Sequence, residues 1–288
     1  MKWLVGSVEI SRIVEIAALH FPSEYVAGGV TADQVLALDW MKPHFCDEAG
    51  QLALSFHAFL VRTPDKVILI DTCFGAGREM PSPSFSNLDR TFMDNLAAAG
   101  VQPADIDIVM CTHMHYDHVG WNTQDENGRW VPTFPNARYL YSAKDFEICK
   151  TKAEAGDPHY FHFADTILPP VQAGLVDFID ATEGYRLCEE VSLISTPGHS
   201  PDHFSVCISS QGQDAVITGD IMHNPVQCAY PDNQPVADED QPMAVQTRRK
   251  FLERFADQPV LVLGTHFPAP TAGYIRNSGD VWRFGLDS

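Results

Sequence analysis

Positive charge is scarce in this chain. Nineteen Lys and Arg stand against 38 Asp and Glu, for a formal net charge of −19. Most of these carboxylates read as solvated surface. A surface that acidic repels phosphate backbones and anionic lipid. Nucleic acid is therefore not the expected partner, and no basic patch argues for a nuclease. Long apolar runs are missing too. No stretch approaches the ~20 apolar residues that a membrane span needs. The opening MKWLVGSVEISRIVEI has one early lysine, but Glu9 interrupts its apolar stretch and no small-residue cleavage site follows. No secretory leader is expected from it. Paired cysteines are also lacking. The seven cysteines (Cys46, Cys73, Cys111, Cys149, Cys188, Cys207, Cys228) are scattered, odd in number and never spaced CxxC. They read as reduced, mostly buried small hydrophobes in a cytoplasmic protein. Low-complexity linkers and fixed-period repeats are absent. That leaves one compact α/β domain, 1–288, as the expectation, long enough for an ample core.

Apolar residues make up 45% of the chain and fall into alternating strand and helix patterns. Residues 3–16 alternate as a strand, with Val8, Ile10, Ile13 and Val14 among polar neighbours. Phe21 to Gly50 reads as loop-rich. LALSFHAFLVRTPDKVILIDTCFG reads as two strands joined at TPDK. Residues 88–99, LDRTFMDNLAAA, read as a helix closed by Gly100. DIDIVMCT is a short apolar strand. ARYLYS is another, and SAKDFEICKTKAEA is a helix with Ser142 as its N-cap. Residues 156–170 are aromatic and proline-rich and read as a loop. VSLISTPGHS, FSVCISS and DAVITGD are three further strands. AVQTRRKFLERFAD is an amphipathic helix, with RRK at 248–250 on its solvated face. PVLVLGTH is a last buried strand.

Four of these strands end in ligand-type residues. The strand at 106–112 runs into His113, His115, Asp117 and His118. The strand at 191–196 leads to His199, that at 215–218 to Asp220, and that at 260–264 to His266. Polar groups at the ends of buried strands are how α/β sheets build sites. Imidazole suits zinc and other borderline metals, and a carboxylate adds charge and can bridge two ions. Seven such residues exceed what one tetrahedral ion takes. They fit two divalent ions ~3.5–4 Å apart that share a carboxylate and a hydroxide. Zn is the first candidate, and Mn, Fe or Co also suit this donor set. The plain alternative is chance clustering of core or surface histidines. Convergence from four strand ends weighs against it.

The segment THMHYDHVG matches a His-x-His-x-Asp-His signature and resembles the metallo-β-lactamase superfamily. VILIDTCFG is similar to that family's first motif, with Asp71 as its buried structural aspartate. STPGHSPDH is similar to the third motif, ITGDIMH to the fourth and LGTHFPAP to the fifth. The resemblance covers nearly the whole chain. It implies an αβ/βα four-layer sandwich with a dimetal site at one edge. It further implies that His113, His115 and His199 hold one ion, that Asp117, His118 and His266 hold the second, and that Asp220 bridges them. An aspartate fills the place of the cysteine ligand of the zinc β-lactamases. GDIMHNPVQ and LGTHFPAPTAGYI make the chain most similar to the N-acyl homoserine lactonase and methyl-parathion-hydrolase-like branch. His223 stands where lactonases of the quorum-quenching type usually carry a tyrosine. A homodimer is also plausible by this resemblance.

The expected activity is hydrolysis of an ester-like bond, first of all a lactone or carboxylic ester, by attack of a metal-bridging hydroxide. The substrate would be small and neutral or apolar. Asp117 would orient the nucleophile and pass its proton to the leaving group, and His223 would donate to the developing oxyanion. Phosphotriester hydrolysis is the nearest alternative, because the same hydroxide can attack phosphorus. An iron-dependent persulfide dioxygenase is a more distant one. The flavodiiron branch places a glutamate where His115 stands. Asp71, His57 and His203 read as framework residues, and His159 and His162 as lid residues. Phe21, Trp40, Phe45, Trp121, Tyr160, Phe161, Phe163 and Phe267 fall in loops near strand ends and read, as a group, as an apolar pocket over the metals.

Overall fold

The computed structural model describes residues 1–287. The chain forms two compact units. The first comprises Met1–Glu15 and His57–Asp180, and the second comprises Ile16–Phe56 and the chain from Ala181 onward.

The first unit is organised on a mixed sheet. It is built from β1 (Lys2–Val5), the first part of β2 (Val8–Phe21), the last part of β3 (Leu52–Arg62), β4 (Val67–Ile70) and β5 (Ile108–Met110). A small hairpin, β6 (Thr123–Asp125) with β7 (Trp130–Pro132), stands apart. β8 (Arg138–Ser142) and β9 (Val176–Ile179) complete the main sheet, in the order β1-β2-β3-β4-β5-β8-β9. β4, β5, β8 and β9 run parallel. Parallel pairing requires crossovers. Helices Thr91–Ala98 and Ala143–Glu154 lie in two of them. Apolar strands paired this way bury both faces. Leu69, Val109 and Tyr139 accordingly sit at the core with Phe92, Trp121 and Phe134, all essentially inaccessible to solvent. Ser142 caps its helix as expected, accepting from the Asp145 N–H at 3.0 Å.

The second unit carries β10 (Tyr185–Arg186), β11 (Val191–Ser195), β12 (Phe204–Ser210), β13 (Gln213–Ile217), β14 (Val260–Leu263), β15 (Ala272–Ser278) and β16 (Val281–Gly285), neighbouring one another in chain order. Only β13 and β14 pair in parallel. Helix Gln241–Phe255 is their crossover. Phe45, Phe267 and Phe284 pack edge to face, with ring centroids 5.8 and 5.2 Å apart.

The structure departs from the sequence reading at several points. Residues 3–16 are not one strand but the hairpin β1–β2, turned at Gly6 with φ +58°. The loop expected from Phe21 to Gly50 contains two short helices, Ser23–Val26 and Ala32–Leu36. Thr31 and Gln34 close the second with a reciprocal capping box. The stretch expected as loop at 156–170 contains helical turns over Pro158–Tyr160 and Phe163–Ile167, and helix Leu168–Gln172 begins within it. Proline tolerates a first helical turn, which is why the composition misleads there. Five of the seven cysteines are buried, and all seven are free thiols. Among the described residues no helix is long and apolar enough to cross a membrane.

Candidate metal centre

The first unit brings four of the expected ligands together just past the end of β5. Asp71 follows β4 directly, in the left-handed region at φ 62°. Its carboxylate accepts from the Thr112 N–H at 2.7 Å and lies 3.0 and 3.1 Å from the Thr112 hydroxyl. It also faces His118 Nδ1 at 3.1 Å. The Thr112 hydroxyl in turn lies 3.1 Å from His113 Nδ1. These partners assign the tautomers. A hydroxyl that donates to a carboxylate accepts from an imidazole N–H, so His113 and His118 both carry their proton on Nδ1. Their Nε2 lone pairs are left for another partner. His113 Nε2 meets His115 Nδ1 at 3.0 Å, and Asp117 Oδ2 stands 3.6 Å from His118 Nε2. Asp71 is thus the structural residue that the motif implied.

The second unit brings together the other four residues, from three strand ends. His199, Asp220 and His266 follow β11, β13 and β14, and His223 comes three residues after Asp220. Asp220 Oδ2 lies 3.1 Å from His266 Nε2, 3.3 Å from His223 Nε2 and 3.5 Å from His199 Nε2. Each supporting bond points the same way. His199 Nδ1 donates to Asp238 Oδ1 at 2.9 Å, and His266 Nδ1 to the Ser55 carbonyl at 3.1 Å. His203 Nδ1 faces the Thr196 hydroxyl and carbonyl, so its Nε2 accepts the Asp220 N–H at 2.7 Å. That is the framework role read for it. The glycine before Asp220 is required. Gly219 has φ +58°, and a Cβ there would meet His203 Nε2 at 2.3 Å.

These geometries test whether a metal fits. In the second unit a carboxylate oxygen faces two imidazole nitrogens whose protons are committed on the far side of the ring. Acceptor against acceptor is repulsive unless a cation lies between them. His199, Asp220 and His223 each offer one atom within 4.8 Å of the others. In the first unit the 3.0 Å approach of His113 Nε2 to His115 Nδ1 is close to the ~3.3 Å edge of a tetrahedral zinc site with bonds of about 2 Å. Both donor sets suit a borderline divalent ion.

Three further features correct or extend the sequence reading. The RRK segment is not a uniformly solvated face. Arg248 is 1% exposed, and its Nη2 donates to Asp238 Oδ2 at 3.0 Å. Burial pushes the Asp238 carboxyl up, but the His199 hydrogen bond and the Arg248 guanidinium outweigh it and hold it below the ordinary value. Neither Asp238 nor Arg248 was marked by any spacing. The aromatic group is mostly buried. Phe45, Trp121, Tyr160, Phe163 and Phe267 are buried, and only Phe161 of the eight is exposed. Trp121 stacks on Phe92 at 5.8 Å and donates from Nε1 to Glu15 at 2.7 Å. It packs in the core of the first unit. Of the eight, Phe161 borders a cavity of about 150 Å³ in the first unit, with Arg78, Trp130 and His162. His162 is buried with Nε2 on the Met114 carbonyl, and burial pulls it down to about 4, whereas His159 is exposed. His57 is buried, as expected.

Residues 56–266 match the profile of the metallo-beta-lactamase superfamily. The chain belongs to that superfamily. It is thereby a metal-dependent hydrolase, and its fold is the metallo-β-lactamase fold of mixed α/β sheets and helices. An N-acyl homoserine lactonase from Bacillus cereus is 23% identical over 230 residues, covering 74% of this chain and 82% of the relative. Two solved structures match it along its whole length. AidC, a dizinc quorum-quenching lactonase solved with a product bound, superimposes with a TM-score of 0.79 at 22% identity. AbOPH, a hydrolase of the beta lactamase superfamily, does so with 0.80 at 24%. This chain covers 97% of each of them.

Proposed function

We propose that the protein is a dinuclear-metal-dependent hydrolase that cleaves a lactone or carboxylic ester. The observation that carries this reading is the Asp220 carboxylate, faced by the Nε2 atoms of His199, His223 and His266. Following the family's motif order, His113, His115 and His199 would hold one ion, Asp117, His118 and His266 would hold the other, and Asp220 would serve both. Two divalent ions, Zn first and Mn, Fe or Co as alternatives, would supply Lewis acidity and lower the pKa of water. The chain's own residues do the rest. Asp117 orients the attacking water and carries its proton to the leaving oxygen. His223 donates to the oxygen on which negative charge builds. The substrate is small and neutral or apolar, as the acidic surface favours. The protein works in the cytoplasm as one functional domain, 1–288.

The lactonase relatives support a lactone as the first substrate to try. The test is a panel of N-acyl homoserine lactones, other lactones, aryl esters and phosphotriesters, run with and without a chelator. Turnover of a lactone or ester that disappears with the metal is expected. Faster turnover of phosphotriesters would replace the substrate assignment, and activity that survives chelation would overturn the mechanism.

A further inference from the structure

The proposed ligands in the second unit do not all have the same support. His266 donates to a backbone carbonyl, whereas His199 donates to a carboxylate that is itself held by a buried cation. Asp238 divides its two oxygens. Oδ1 accepts from His199 Nδ1 at 2.9 Å, and Oδ2 accepts from Arg248 Nη2 at 3.0 Å. The Asp238 side chain is fully buried and that of Arg248 is 1% exposed.

Arg248 is fixed on its other edges as well. Nε donates to the Ile221 carbonyl at 2.9 Å, and Nη1 donates to the Pro231 and Asn233 carbonyls at 2.9 and 2.8 Å. One guanidinium therefore clamps the residue after Asp220, the segment at 231–233, and Asp238. A planar fork with five donors can do this, and a lysine cannot. A buried ion pair by itself is weak evidence for anything beyond stability. Here the pair has a direction, because the carboxylate oxygen it leaves over points at a ring nitrogen.

We propose that Asp238, held by Arg248, is a positioning residue that sets the tautomer and orientation of His199, and with them the affinity for the one ion that His199 holds. A carboxylate on the far nitrogen of a ligating imidazole locks the ring and raises the basicity of the nitrogen that binds the metal. The inference rests on the reading of His199 as a ligand. Asp71 serves His118 and, through Thr112, His113 in the first unit. Asp238 serves only His199, so its loss affects one ion and not both.

The experiment titrates metal-free protein with Co(II), read by visible absorption, in wild type, Asp238→Asn and Arg248→Lys. Asparagine keeps the volume, but its amide must turn an NH2 toward either His199 or Arg248. Wild type is expected to bind two equivalents. Asp238→Asn is expected to weaken one equivalent 10- to 100-fold, to change the absorption of that site and to leave the other equivalent alone. Arg248→Lys keeps a cation beside Asp238 and should retain the wild-type absorption, with a loss of about two- to tenfold confined to that same equivalent. Should the asparagine variant fail to fold, the lysine variant carries the test through this smaller single-site weakening, and no weakening of either equivalent in it would overturn the proposal. Two equivalents unchanged in folded Asp238→Asn would overturn the proposal. So would equal weakening of both equivalents in step with a lowered Tm of the metal-free form, which marks a merely structural role. Wild type that binds no cobalt would overturn the metal reading itself and this inference with it. That result is distinct from the others.

Discussion

The two units assemble their ligand-type residues in opposite ways. The first places His113, His115, Asp117 and His118 on six consecutive positions after one strand. The second draws His199, Asp220, His223 and His266 from the ends of three strands. The supports differ in the same sense. One carboxylate, Asp71, organises the short segment, reaching His118 directly and His113 through Thr112. The dispersed set uses separate anchors: Asp238 for His199, the Ser55 carbonyl for His266, and His203 for the Asp220 backbone. Local spacing does the organising in the first unit, and strand register with long-range bonds does it in the second.

The comparison is tested most severely at Asp220, where the dispersed set converges. Asp220→Ala is expected to lower kcat/KM for the best lactone or ester about a thousandfold, the scale of several kcal/mol of lost Lewis-acid stabilisation. A loss under tenfold in a folded variant would show that the convergence is incidental.

The first unit carries its own pH signature. Burial pushes Glu15 up to about 7 from an ordinary 4.5, against the pull of N–H donors from Phe74, Trp121 and Gly75. The native state then keeps a proton that the unfolded chain releases between pH 4.5 and about 7, so stability falls as pH rises through that window. The fall amounts to about 3 kcal/mol. Glu15→Gln should remove this slope. Urea unfolding at pH 5 and pH 7.5 measures it, and an unchanged slope in the variant would place the effect elsewhere.

At His223 the expected loss is about a hundredfold in kcat, with KM little changed, on substitution by Phe. A change confined to KM would instead mark a ground-state contact. The smallest expected effect contrasts the two anchors. Asp71→Asn should weaken both metal equivalents by about tenfold or more, since two of the proposed ligands lean on it. Weakening of a single equivalent would remove the distinction from Asp238.

How much of this was legible in the sequence follows the same division. A cluster such as THMHYDH declares itself by spacing, and the strand before it by an apolar run. His199, Asp220 and His266 were legible because each ends a buried strand in a recognisable Gly-containing motif. The Gly219 conformation beneath the His203 ring explains the GD pair in physical terms. Arg248 was misread because helical periodicity reports which face a residue occupies and not whether a buried carboxylate waits there. Asp238 lay in an acidic, proline-containing stretch that looks like any solvated loop. The anchor of Trp121 was hidden for a related reason. Its position beside the cluster suggested a pocket, while its Glu15 partner lies 106 residues away in sequence. The C-terminal hairpin β15–β16 was passed over although Gly279, at φ +64°, marks its turn.

The central claim is that the seven residues bind two ions and that hydrolysis depends on both. Its most direct test is a zinc titration of metal-free protein, followed by lactone hydrolysis at each step. The account predicts two equivalents bound per chain, with activity returning as the second is taken up. Saturation at one equivalent with full activity, or turnover in the metal-free protein, would contradict it.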